Sequence, residues 1–206
     1  MRIGGLQKVS LIDYPGYISC VVFVQGCNFR CYYCHNPQLV YPELFCEPIS
    51  EESVLNYITT RKNYLDAVVI CGGEPTIQDD IVEFVKHIKK LGLKVKLDTN
   101  GSNPQILEKV IKHADFISMD IKSRIEKYKY SEVCGVDVDI EKIKNSIKII
   151  LNSSVEYEFR TTIDNKIVDI EDIKSINNFF SNFSFVVKHK IQHINKWFSN
   201  NSVIRR

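Results

Sequence analysis

Several things are missing from this sequence, and each absence narrows the reading. No apolar run approaches the roughly 20 residues that a membrane-spanning helix needs, and the N-terminal "MRIGGLQKVS" has no apolar core of the kind that marks a secretory leader. The expected location is therefore the cytosol. Charge of one sign is not in excess either: 27 Lys and Arg face 25 Asp and Glu, so bulk electrostatics give no reason to expect a nucleic-acid or membrane partner. Interleaved basic and aromatic residues, which would suit a nucleic-acid surface, are also absent. There is no internal repeat, low-complexity tract or Pro/Gly-rich linker, and 206 residues suit one well-packed domain. The remaining charge is uneven, because residues 188–206 carry Lys and Arg but no Asp or Glu. The expected division is a domain over 1–187 and a basic tail over 188–206.

Cysteine is not scarce. Seven of them in a cytosolic chain argue for thiol chemistry or metal rather than a disulfide framework. Cys27, Cys31 and Cys34 crowd into "CNFRCYYCHN" (27–36), with His35 and Asn36 directly behind. Cys20 and Cys71 fall within apolar runs and read as small core residues, while Cys46 and Cys134 read as loop residues without partner spacing.

Periodicity predicts strands over 18–25, 66–71, 93–99, 115–121 and 155–163. Amphipathic helices separate them. One begins near Ser50, one carries Ile81, Phe84, Val85, Ile88 and Leu91, one starts at Pro104 with Asn103 as cap, and two follow Asp139 and Asp169. Repeated strand–helix–strand units imply an α/β fold with a mainly parallel sheet, open or curled into a barrel, whose site lies at the C-terminal ends of its strands. The unusual residues obey that rule: the cysteine loop follows the first strand, "GGEP" (72–75) the second, "DTNG" (98–101) the third and "DIK" (120–122) the fourth, with Arg160 late in the fifth.

Thiolates suit zinc or iron–sulfur clusters, and C-x3-C-x2-C can place three sulfurs around one face of a 4Fe-4S cubane. One iron then lacks a protein ligand and is open to a small chelating molecule. The plainer alternative is a zinc site completed by His35 or Cys46, although structural zinc favours paired ligand hairpins.

The cysteine motif, with an aromatic residue before its last Cys and a "GGEP" at the next strand end, resembles the radical S-adenosylmethionine superfamily. With "LDTNG" and "MDIK" the chain is similar to the activating enzymes of glycyl-radical enzymes. Its N-terminal "IGGLQKVSLIDYPGYISCVVFVQGCNFRC" resembles more narrowly the activating proteins of anaerobic ribonucleoside-triphosphate reductase. The resemblance implies a partial, open (β/α)6-type barrel that holds a 4Fe-4S cluster on Cys27, Cys31 and Cys34. S-adenosylmethionine would occupy the open iron, and an electron donor of the flavodoxin or ferredoxin type would reduce the cluster. The implied partner is a glycyl-radical enzyme, such as anaerobic ribonucleotide reductase. Gly72 and Gly73 would let backbone approach the cofactor, and Glu74 would help neutralise its ammonium. Asn36, Lys122 and Arg160 are candidate cofactor contacts, while Asp98, Thr99 and Asp120 would hold a monovalent cation nearby. Asp98 is equally the residue type that closes a turn before Asn100-Gly101.

The ending departs from the resemblance. "FSFVVKH" (183–189) suits a sixth strand, but the remainder does not match, as a shortened gene product would not. Two rival functions stay open: a small-molecule enzyme of the same superfamily, like the 7-carboxy-7-deazaguanine synthases, and a non-enzymatic zinc-binding interaction module.

Overall fold

The computed structural model describes residues 1–164, 166–183 and 187–193. One seven-stranded sheet runs through it in the order β1 (Ile3–Ser10), β2 (Ser19–Val24), β3 (Ala67–Gly72), β4 (Lys94–Thr99), β5 (Phe116–Asp120), β6 (Glu156–Ile163) and β7 (His189–His193). The pairs from β2 to β7 are parallel, and β1 lies antiparallel along β2. Five strands coincide with the predicted runs. The sixth parallel strand comes later than the "FSFVVKH" expectation, at His189–His193, and so includes residues assigned to the basic tail; residues 184–186 and 194–206 lie outside those described. The antiparallel edge β1 was not foreseen, because its paired glycines and polar residues carry a weak strand signal.

Helices α1 (Glu51–Arg61), α2 (Ile81–Lys90), α3 (Pro104–Val110), α4 (Lys127–Cys134), α5 (Ile140–Leu151) and α6 (Ile170–Phe180) lie between the strands. Ser50 caps α1 by accepting from the Ser53 N–H, Asp139 caps α5, and Asp169 with Asp172 closes a capping box on α6. Asn103 does precede Pro104, but its side chain donates to the Thr76 carbonyl instead of capping α3. Short, polar α4 escaped the periodicity reading; it ends at Gly135, whose φ of 65° is left-handed. Among the described residues no helix is long and apolar enough to cross a membrane.

Strand alternation sorts the core into two faces. Val22, Val24, Val68, Ile70, Val95 and Leu97 belong to the main core with the buried helix residues Phe84, Ile88, Ile147 and Ile176. Val21, Ala67 and Val69 point the other way, where Tyr14, from the connection after β1, packs on them beside Phe116. That second face leads up to the C-terminal rim.

At the rim, β2 and β3 leave the sheet unusually close together. Gly73 N–H donates to the Val24 carbonyl and Glu74 N–H to the Gly26 carbonyl, each at 2.8 Å. A Cβ on Gly73 would stand 1.9 Å from the Gly26 oxygen, and one on Gly72, whose φ is 109°, would stand 2.7 Å from Val24 backbone atoms. These glycines thus allow a close approach to the chain's own backbone. Gly73→Ala is expected to destabilise the cofactor-free chain by about 2 kcal/mol or more, since backbone cannot yield as a flexible side chain does. Gly5→Ala, whose Cβ would meet only ordinary contact at 3.5 Å from Phe23, should change stability by less than about 0.5 kcal/mol. Urea unfolding of both variants checks the contrast.

Candidate functional site

A cavity of about 480 Å³ opens at the C-terminal rim, within the range of small-molecule sites. Cys27, Cys31, Cys34, Asn36, Gly72, Gly73, Glu74, Asp98, Thr99, Asp120, Lys122 and Arg160 all line it, so every residue singled out from the sequence for metal or cofactor faces one space. His35 lines it too; Cys46 is exposed elsewhere, with its thiol against the Gly4 carbonyl at 3.5 Å.

One wall is the cysteine loop. Phe29 N–H points to the Cys27 sulfur at 3.4 Å, and the Asn36 N–H to that of Cys34. The loop docks on the C-terminal turn of α4 through Arg30 N–H to the Cys134 carbonyl at 2.7 Å and Tyr32 N–H to that of Val133 at 3.4 Å. A Cβ on Gly135 would lie 2.4 Å from the Arg30 oxygen, which explains a glycine there. Cys134 is therefore not a loop residue: it is buried at the end of α4 and donates a hydrogen bond to Cys31. That bond, helped by the Lys122 charge, holds Cys31 below the usual thiol range, whereas burial pushes Cys27 up to about 12. Cys71 is only half-buried and also lines the cavity, contrary to its reading as core, while Cys20 is fully buried as expected.

The donor set fits a cluster. Three thiols from one loop line a common cavity beside a fixed ammonium, and backbone N–H groups already serve two of the sulfurs.

The opposite wall is ionic. Parallel pairing of β5 with β6 sets Asp120 beside Arg160. Arg160 Nε donates to Asp120 Oδ1 at 2.9 Å and its Nη1 to Asp98 Oδ2 at 3.0 Å, so the guanidinium bridges the two carboxylates. Lys122 Nζ donates to Asp120 Oδ2 at 2.9 Å, and Lys96 Nζ lies 3.2 Å from Asp98 Oδ1. Asp98 and Asp120, expected with Thr99 around a monovalent cation, pair with these protein cations, and the Thr99 hydroxyl donates to Glu74 at 2.6 Å. Burial opposes the charge on Asp120, but Arg160 and Lys122 outweigh it and hold the carboxyl well below the usual range. Burial likewise works against the Lys122 ammonium, and Asp120 more than offsets it, so its pKa is raised.

Glu74 is held by four hydrogen bonds. Its Oε1 accepts from Thr76 N–H at 3.0 Å, Thr76 Oγ1 at 2.5 Å and Thr99 Oγ1 at 2.6 Å, and its Oε2 from Asn100 N–H at 2.6 Å. Burial pushes its pKa up, against these donors. Asn100 continues the link, donating through Nδ2 to Asn28 Oδ1 in the cysteine loop at 3.0 Å. Asn28, Asn100, Asp13, Tyr33, Lys96 and Cys71 were not singled out for the site from sequence. Only Lys96 carried a usable signal: a lysine two residues before Asp98 in a strand shares its face.

The sequence profile of the Radical SAM superfamily matches residues 21–176. A Methanocaldococcus jannaschii protein named as a glycyl-radical enzyme activating enzyme is 39% identical over 181 residues, 84% of this chain and 73% of that one. The pyruvate formate-lyase-activating enzyme of Clostridium pasteurianum is 30% identical over 193 residues, 91% of this chain and 79% of that one. The fold is similar to that of Streptococcus suis SuiB bound to S-adenosylmethionine, with a TM-score of 0.60 at 19% identity, covering 85% of this chain and 40% of SuiB. This chain thus spans about two-fifths of SuiB's length.

The ionic wall makes a pH prediction. Asp120 keeps its folded pKa below the unfolded value, so its contribution to stability is complete above about pH 4 and fades as pH falls further. Asp120→Asn should lower stability at neutral pH by about 1–3 kcal/mol, less than a fully buried pair would lose because Asp120 is partly exposed. It should also flatten the loss on acidification, which urea midpoints across that range will show.

Proposed function

The chain belongs to the radical S-adenosylmethionine superfamily, among the glycyl-radical enzyme activating enzymes, and from that premise we propose that it installs a radical on a glycine of anaerobic ribonucleoside-triphosphate reductase. The observation that carries the reading is one cavity with a three-thiol wall facing a wall where Arg160 and Lys122 pair with Asp98 and Asp120. The cofactors of the superfamily are a 4Fe-4S cluster and S-adenosylmethionine, which together supply one-electron cleavage of a sulfonium and a hydrogen-abstracting radical.

The residues of this chain bind, orient and enclose. Cys27, Cys31 and Cys34 hold the cluster, with Lys122 favouring their thiolate forms. Arg160 and Lys122, which line the cavity in ion pairs with Asp98 and Asp120, are the donors suited to the carboxylate of S-adenosylmethionine. Gly73 lines the cavity, and its backbone is the acceptor we assign to the ammonium. Asn36, at the exposed edge of the cysteine loop, lines the cavity and would be a further contact to the cofactor. The two edges of the sheet, β1 and β7, are far apart in strand order, and the incomplete barrel leaves its open side for a glycine-bearing loop of the partner. A radical must be guided to one hydrogen, which calls for that loop to order against the rim. The electron donor is of the flavodoxin or ferredoxin type.

The reductase is favoured over pyruvate formate-lyase by the N-terminal stretch through Cys31. Anaerobic reconstitution should give about four iron and four sulfide per chain. Changing Cys27, Cys31 or Cys34 to Ala should abolish that content, while Cys46→Ala should keep it; equal loss in all four would mean the ligands are wrongly assigned. With reductant and S-adenosylmethionine, the reductase should show a glycyl-radical doublet in electron paramagnetic resonance that vanishes when its glycine is changed to alanine. A doublet on pyruvate formate-lyase alone would reassign the partner, and conversion of a pterin-like small molecule would replace activation by synthase chemistry.

A further inference from the structure

Lys96 stands where a lysine is out of place. It lies inside a parallel strand, in a position normally apolar, and is only 5% exposed. Burying an ammonium costs several kcal/mol unless it is paired and coordinated. Here Nζ donates to the Asp13 carbonyl at 2.6 Å and lies 3.2 Å from Asp98 Oδ1, over the Phe116 ring at 5.9 Å. Asp98 Oδ1 is buried and accepts no hydrogen bond among the described residues, so the ammonium is its counter-charge. A carboxylate oxygen and a backbone carbonyl are the ligands an alkali ion would take. Asp13 itself lines the cavity, and its side chain is held by Ser10 Oγ, so the carbonyl is fixed in place.

We propose that Lys96 is a built-in monovalent cation: its ammonium, held by Asp98 and the Asp13 carbonyl, neutralises the rim as a free alkali ion would, so that the chain binds S-adenosylmethionine without one. Three observations converge. Arg160 already bridges Asp98 and Asp120, and Lys122 takes the remaining Asp120 oxygen. An added ion at Asp98 or Asp120 would meet the three protein cations already set on those two carboxylates, Lys96, Lys122 and Arg160, and be repelled by them. The hydroxyl expected to complete an ion site, that of Thr99, is turned to Glu74. Lys96 is thus a positioning residue, acting on the cofactor through Asp98 and Arg160. The inference rests on the cavity being the S-adenosylmethionine site.

The test uses the full chain with its cluster, in sodium, potassium, ammonium and tetramethylammonium chloride at matched ionic strength. S-adenosylmethionine affinity is read by calorimetry and the thermal midpoint in parallel. Wild type should vary less than about twofold in affinity across the salts, with one thermal midpoint. Lys96→Ala opens the place of the ammonium; its affinity should fall about fivefold or more in tetramethylammonium and return in potassium or ammonium. Lys96→Met, which fills that space, should not be rescued. Loss of wild-type affinity or thermal midpoint in tetramethylammonium would overturn the proposal, as would a folded Lys96→Ala chain that no small cation rescues. Should Lys96→Ala unfold in every salt, the wild type and Lys96→Arg, which keeps a tethered cation and must stay salt-independent, decide the matter. A wild type that binds no S-adenosylmethionine in any salt refutes the cofactor assignment instead, while its thermal midpoint still tests Lys96.

Discussion

The rim depends on one buried carboxylate. Glu74 is 1% exposed and gathers two backbone N–H groups and two hydroxyls from the ends of β3 and β4. An unsatisfied carboxylate at that depth would be costly, so the donors and the acid define one another's positions. Through Asn100 and Asn28 the same network reaches the cysteine loop, and Asn28 passes it on to Ser102 at 2.7 Å. Three strand exits are thereby held in one arrangement, and the cavity between them is a consequence of it.

The two chemical walls share a fixed point in Lys122. Its N–H donates to the Tyr130 hydroxyl of α4, its carbonyl accepts from the Tyr33 hydroxyl of the cysteine loop, and its ammonium sits on Asp120. The thiol wall and the ionic wall are therefore coupled through one residue's backbone and side chain. Preorganisation of this kind keeps charges and thiols aimed before any ligand arrives, which is how a protein restrains reactive chemistry that belongs to its cofactors.

Much of the site was legible because its chemistry is local in the chain. Cys27, Cys31 and Cys34 fall within one loop, and alternating apolar residues mark β2 to β6, so the rule that sites follow strand ends gathered the residues correctly. The misreadings concern groups whose role depends on a distant partner. The packing of Gly72 and Gly73 on the backbone of Val24 and Gly26 is likewise invisible in the chain order. Cys134 looks idle until α4 brings it to Cys31, and the antiparallel β1 gains its strand character from pairing with β2.

By itself, the order of residues determined which functional groups this protein has, which segments become β2 to β6 and five of the helices, and that the reactive ones emerge at a single rim. Hydrophobic period and ligand spacing are properties of neighbouring residues, and they survive without a fold. Tertiary structure alone decided how the charges are shared. The register of β5 on β6 places Arg160 beside Asp120, the face of β4 turns Lys96 to Asp98, and the connection after β1 carries the Asp13 carbonyl to Lys96. Those contacts join residues far apart in sequence, and their strength comes from mutual burial, a condition that exists only once the sheet has closed over them.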